Sequence, residues 1–136
     1  MIAASAYAAT IAAIQMGNSM TALSAKHMAW LESRTLSVEA ATAMGLYSAK
    51  RAKTGDDEYE IVPSERGDIL VYPYTEHGVE KNAKYRGPQK RFWQKKDGKK
   101  LLWNRDVLDD PSLHDGTHPL VITEGENDAL AVMTAG

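Results

Sequence analysis

Apolar and polar positions along this chain change period several times, and each change marks an element. From Ser24 the spacing is helical: Ser24 is placed to cap a helix running to about Ser33, with Met28 and Leu31 on one apolar face. Ser37 is placed to cap a second, shorter helix over 38–44, with Gly45 just past its end. Residues 50–57 are polar without a period and read as a loop. Alternation then predicts strands over 58–62 and 68–75, the second setting Ile69, Val71 and Pro73 against Leu70, Tyr72 and Tyr74. Pro73 predicts an edge or a bulge, since proline has no N–H for a ladder. His77-Gly78 predicts a hairpin turn into a strand over 79–86, with a further short strand over 91–94. Asp97-Gly98 is a turn signal leading into 99–103, Asn104 is placed to cap a short helix over 105–108, and 109–118 is a polar linker.

The last eighteen residues change period twice. Leu120, Val121 and Ile122 form an apolar, largely β-branched run that predicts a buried parallel strand. Thr123-Glu124-Gly125 breaks it, and residues 126–135 read as a helix with Ala129, Leu130 and Met133 on one face. A strand, an acidic turn and a helix put Glu124 at the carboxyl end of a strand, the edge where open α/β sheets bind ligands. Glu126 and Asp128 fall in the first helical turn, where acids oppose the helix dipole favourably whatever the function.

Composition narrows the class. The 136 residues are 43% hydrophobic and 25% charged, ordinary for a soluble globular chain with one modest domain, or one and a fragment. With no cysteine, disulfides and thiolate zinc sites are excluded. The four histidines have no ligand spacing; His114 and His118 flank Asp115 in what reads as a solvated loop. Nothing before Lys26 is charged, and alanine dominates residues 1–22. That stretch lacks the basic start and leucine-rich core of a signal peptide and is too weakly apolar to span a membrane. It predicts a helix over 3–16 ended by Gly17-Asn18, in a cytoplasmic protein without membrane partners.

The net charge of −2 conceals a basic segment: ten Lys and Arg lie between Glu80 and Arg105, against Glu80 and Asp97 alone. Phe92, Trp93 and Trp103 are interleaved with these cations, the combination that single-stranded nucleic acid uses for base stacking and phosphate contact. Lys84 and Arg86 share one side of their strand and Tyr85 takes the other. The nucleic-acid-binding candidates are Lys81, Lys84, Arg86, Lys90, Arg91, Trp93, Lys95, Lys96 and Arg105. The plain alternative is that the cations guard a strand edge and the aromatics are core.

The run Val121-Ile-Thr-Glu-Gly-Glu-Asn-Asp-Ala-Leu130 resembles the first motif of the Toprim domain, most closely the version in phage-type, Twinkle-like primase–helicases, with Asn127 where an apolar residue is common. Upstream, Met28-Ala-Trp-Leu to Gly45-Leu-Tyr-Ser-Ala49 resembles the helical pair that precedes the polymerase core of primases. Val71-Tyr-Pro-Tyr, Lys84-Tyr-Arg, Lys90-Arg-Phe-Trp and Leu102-Trp-Asn-Arg then follow in that family's order. The resemblance covers roughly residues 23–136 and lacks the amino-terminal zinc ribbon common in the class.

The resemblance implies an α/β fold of α+β character: an alanine-rich segment (1–22), a primase-like subdomain with a helical pair and basic antiparallel sheet (23–108), a linker (109–118) and the first β-α unit of a Toprim domain (119–136). It implies magnesium-dependent nucleotidyl transfer in DNA replication, with Glu124 and Asp128 as active-site acids and Glu124 as the metal ligand. Its Asp-x-Asp strand is not found here, so the chain reads as the front part of a larger enzyme, inactive alone. Implied partners are single-stranded DNA and, in the complete enzyme, nucleotides, within a ring-forming parent. The competing readings are another Toprim enzyme, a nuclease or topoisomerase, and a non-catalytic single-strand-binding module.

Overall fold

The computed structural model describes residues 2–4, as backbone, and 22–136. The strands are β1 (Ile2–Ala4), β2 (Tyr47–Gly55), β3 (Glu58–Pro63), β4 (Ile69–Glu76), β5 (Val79–Arg86), β6 (Phe92–Gln94) and β7 (Leu120–Ile122). The helices are α1 (Ala25–Ser33), α2 (Val38–Ala43), α3 (Pro111–His114) and α4 (Glu126–Ala135), with a 3₁₀ turn at Arg105–Asp109. Five strands form one antiparallel sheet in the order β3-β2-β4-β5-β6, giving a mixed α/β fold. No helix among the described residues is long and apolar enough to cross a membrane.

Local signals set the helix starts. The Ser24 hydroxyl accepts from the His27 N–H, and that of Ser37 from the Ala40 N–H. Past α2, Gly45 takes a φ of 81°, the left-handed value that ends helices. His77 and Gly78 both have positive φ, the two-residue turn whose twist matches a hairpin. Asp106 closes that turn from outside, accepting from His77 N (2.7 Å), Gly78 N (2.9 Å) and Thr75 Oγ1 (2.9 Å). Burial opposes its charge, but these donors and Arg105 hold its carboxyl below the usual range.

β4 is the centre of the molecule, and both its faces are covered. Leu70, Tyr72 and Tyr74 face Leu31, Leu36, Leu46, Trp103 and the α4 residues Ala129, Leu130 and Met133 in one core. Ile69 and Val71 face the other way, with Ala49, Ala83 and Tyr85, and Trp93 packs on that side. Pro73 meets the sequence expectation twice. β2 pairs with β4 only over Ile69–Val71, so among the described residues β4 has a free edge at Pro73, and a bulge follows between Tyr74 and Thr75. Opposite Pro73, the Ala83 carbonyl accepts from Lys95 N on the far side, so the proline nitrogen faces the edge that β2 has left.

Three expectations are corrected. Residues 50–57 are not a loop: β2 runs to Gly55 and pairs with β3 as a two-stranded ribbon turned at Asp56-Asp57. Its residues are polar because hydrogen bonds, not burial, hold this part of the ribbon. The linker over 109–118 contains α3, capped by Asp110. β7 exists, but it is neither parallel nor buried. It pairs antiparallel with β1, and Leu120 and Ile122 are 42% and 72% exposed, because no described layer covers it. The helix expected over 3–16 meets β1 at its first two residues, and the rest of it lies outside the described residues.

The seam between α1 and β2 is polar and buried. His27 Nδ1 is 2.6 Å from Ser48 Oγ and 3.1 Å from Ser24 Oγ, and Ser24 N–H donates to Ser48 Oγ at 2.7 Å. Burial, then the charge of Lys26, lowers the His27 pKa. The unfolded chain therefore takes up a proton near its ordinary value of about 6.5 while the folded one resists, so stability falls as pH drops below that value. Thermal melts at falling pH should show this loss, and His27→Asn should flatten it. The exposure of β7 sets a second expectation. Ile122→Ser should cost no more than about 0.5 kcal/mol, whereas Leu130→Ala in the core should cost on the order of 2–5 kcal/mol, both read by chemical denaturation.

Candidate nucleic-acid interface

The acidic turn sits at the start of α4. Gly125 is the N-cap and has no side chain to cap with; Thr123 Oγ1 donates to its carbonyl at 3.2 Å. Glu124 and Asp128, the two acids singled out from sequence, are both exposed. Glu126 is the buried one, only 6% exposed. The Tyr74 hydroxyl donates to its Oε1, and Lys84 Nζ lies 3.2 Å from Oε2. One residue on, Asn127 Oδ1 accepts from the Tyr72 hydroxyl at 2.9 Å, which gives this polar side chain its physical reason. Burial raises both phenol pKa values, that of Tyr72 to about 12, with the hydrogen bond to Glu126 adding to the rise at Tyr74. Both phenols stay protonated as donors. Sequence reasoning assigned Glu126 only to the helix dipole. The signal that finds it is the pair of tyrosines at 72 and 74, on the same face of β4 as Leu70.

From Lys84 outward, cations and rings alternate. Lys84 and Arg86 stand two apart on β5, on the face that carries Tyr72 and Leu70 on β4. The Arg86 guanidinium carbon lies 4.1 Å from the centroid of Trp30 and 6.0 Å from that of Phe92. Lys84 Nζ lies 5.6 Å from Phe92, and Arg34 approaches Trp30 at 5.5 Å. These distances lie within reach of cation–π attraction. Phe92 is 53% exposed, so one ring of this ladder is open to a ligand. Trp30 was not among the sequence candidates, because the helix that carries it lies far from the basic segment in the chain.

The remaining candidates are dispersed. Arg91 and Trp93 belong to the opposite side of the sheet, where Trp93 packs on Tyr85 at 5.5 Å between centroids. Lys81, Lys90, Lys95 and Lys96 are exposed. Arg105 is taken up by Asp106 (3.1 Å) and Asp109 (2.9 Å) beside the 3₁₀ turn. Trp103, read as interleaved with the cations, is fully buried and meets Tyr72 edge to face; it is core.

The donor set does not fit a self-contained magnesium site. Among the described residues, the grouping of three ligand atoms within 4.8 Å of one another is His77, Asp106 and Asp109, which includes neither Glu124 nor Asp128. Its two acids are already bound to Arg105. Glu126 is spent on Tyr74 and Lys84. Glu124 and Asp128 are not joined by a third close donor among the described residues, so waters and substrate phosphates would have to complete a magnesium shell on them.

Because Lys84 neutralises a buried acid, its loss should act on the fold. Lys84→Met should destabilise by on the order of 1–3 kcal/mol by leaving Glu126 without its cation. Glu124→Gln should change stability by no more than about 0.5 kcal/mol. Urea denaturation of the two variants separates the structural acid from the exposed one.

Compared with known proteins, the chain is 31% identical over 68 residues to the primase homolog protein of Arabidopsis thaliana. Those residues are 50% of this chain and 18% of that protein, so the chain spans under a fifth of that relative's length. No protein-family model matches the chain, and no solved structure does. The likeness is to a primase-related protein, over half of this chain.

Proposed function

We propose that this chain is the template-binding front part of a DNA primase or primase–helicase, gripping single-stranded DNA along Trp30, Arg86, Phe92 and Lys84. One observation carries the reading: Arg86 lies between two rings, one of them open, on the strand whose Lys84 reaches the start of the acidic helix. A strand on this ladder has Arg86 for its phosphates and a ring for a base, and the ladder ends at Glu126 in the first turn of the acidic helix. The order of the primase-like motifs and the partial likeness to a primase homolog support the same class.

On this reading Glu124 is the proton-handling acid and Asp128 its neighbour in nucleotidyl transfer, with magnesium bound only when further carboxylates join them. A second reading, a non-catalytic single-strand-binding module, is favoured by one fact: Glu126, the most buried acid of the turn, is already paired with Lys84.

Fluorescence anisotropy with a labelled oligonucleotide tests the interface. Arg86→Met combined with Phe92→Ala should weaken binding by about tenfold or more, since stacking alone is worth about 1–3 kcal/mol per base. The loss should be similar for all sequences, with a shallower salt dependence. Unchanged binding in this variant would remove the ladder from the interface. Charge reversal of Lys84 is a poorer probe, because it sets two carboxylates against each other at Glu126. Glu124→Gln in a longer parent that primes should stop synthesis and leave DNA binding intact; continued priming would leave only the binding module.

A further inference from the structure

The side of the sheet away from the helices holds a cleft of about 410 Å³ between β2 and the β5–β6 connection. Arg51 and Arg91 line it, with Asp68 the one acid on its wall and Trp93 its aromatic component. Neither arginine is paired with a carboxylate among the described residues, unlike Lys84, Lys99 and Arg105. We propose that this cleft is a second, separate phosphate-binding site, taking the phosphate groups of a nucleotide or of a nucleic-acid strand.

Three features fix its geometry. The Arg51 guanidinium carbon stands 5.4 Å from the Trp93 centroid, and Tyr85 supports Trp93 in turn, so the arginine is held in place before any ligand arrives. Gly87 lies against the indole so closely that a Cβ there would come within 2.9 Å of Trp93 Cζ3. The loop that delivers Arg91 is closed by Gly87 N–H donating to the Arg91 carbonyl at 2.8 Å. It contains Gln89 and Lys90, consecutive non-glycine residues with φ of 61° and 60°. Such backbone is costly and gathers at binding loops. Here it sets Arg91 opposite Arg51. Arg51 and Arg91 face this cleft with Asp68 as the one acid on its wall, which leaves a net positive charge that a polyanion satisfies; arginine forks match phosphate oxygens in pairs. The cleft falls within the size range of small-molecule sites, about 300–1,000 Å³.

This inference does not rest on the proposed template ladder, which lies on the other face of the sheet. The test is a titration of the ¹⁵N-labelled chain, following the Trp93 indole N–H signal, assigned by its disappearance in Trp93→Phe. The probes are inorganic pyrophosphate, ATP and an oligo-deoxythymidine strand. Pyrophosphate and ATP should shift the signal in a saturable way, and Arg51→Met with Arg91→Met should weaken that binding about fivefold or more. A shift with the oligonucleotide alone, weakened by the same variant, assigns the phosphates to a strand and upholds the site. No saturable shift with any probe at millimolar concentration overturns the proposal, as does a shift that the variant leaves unchanged. If the double variant fails to fold, by thermal melt, the single variant Arg91→Met replaces it, with weakened binding expected and unchanged binding overturning. Anisotropy of the Arg86 and Phe92 variant reads the other face, so either site can fail without the other.

Discussion

Glu126 is an acid that the fold buries, and much of the architecture around it follows from neutralising that charge. A carboxylate removed from water needs a cation and donors close by. Tyr74 comes from the central strand and Lys84 from its neighbour, so one side chain ties α4 to two strands at once. The apolar residues Ala129, Leu130 and Met133 then settle over Tyr72 and Trp103. Burying an ion pair adds little net stability compared with apolar packing. The pair is satisfied in this seating of the helix, where Glu126 meets Tyr74 and Asn127 meets Tyr72.

The same constraint splits the basic segment. Its residues are contiguous in sequence, yet the two-residue period of strands sends them to opposite sides of the sheet. Lys84 and Arg86 join Trp30 and Phe92, while Arg91 and Trp93 join Arg51. A further part, Lys99 and Arg105, is taken up by Glu76, Asp106 and Asp109 around the His77-Gly78 turn. A charge count over the segment alone overstates how much of it faces one ligand.

What was legible in sequence was local. Ser24, Ser37, Gly45, His77-Gly78 and Pro73 act within a few residues of themselves, and each did what its side chain or its missing N–H dictates. Elements whose state depends on distant partners were not legible. The ribbon of β2 and β3 looks like a loop because its polar residues hide the ladder, and β7 looks buried because its apolar composition says nothing about what covers it. Glu126, His27 and Trp30 drew little notice for the same reason: their partners lie on elements 20 to 60 residues away in the chain, at Ser48, Tyr74, Lys84 and Arg86. The acidic turn itself was found where the strand-to-helix change placed it.

Pro73 has a further consequence, for how copies of this protein meet in solution. Beyond Val71 the flank of β4 is not paired with β2, and an unpaired flank is a template for another chain's strand. The proline presents a ring where a docking strand needs an N–H, and the bulge after Tyr74 breaks the regular spacing that a docking strand would follow. That side is therefore closed to edge-to-edge growth. The exposed Leu120 and Ile122 on β7 have no such guard among the described residues, so self-association at high concentration should begin at β7 and spare the central sheet.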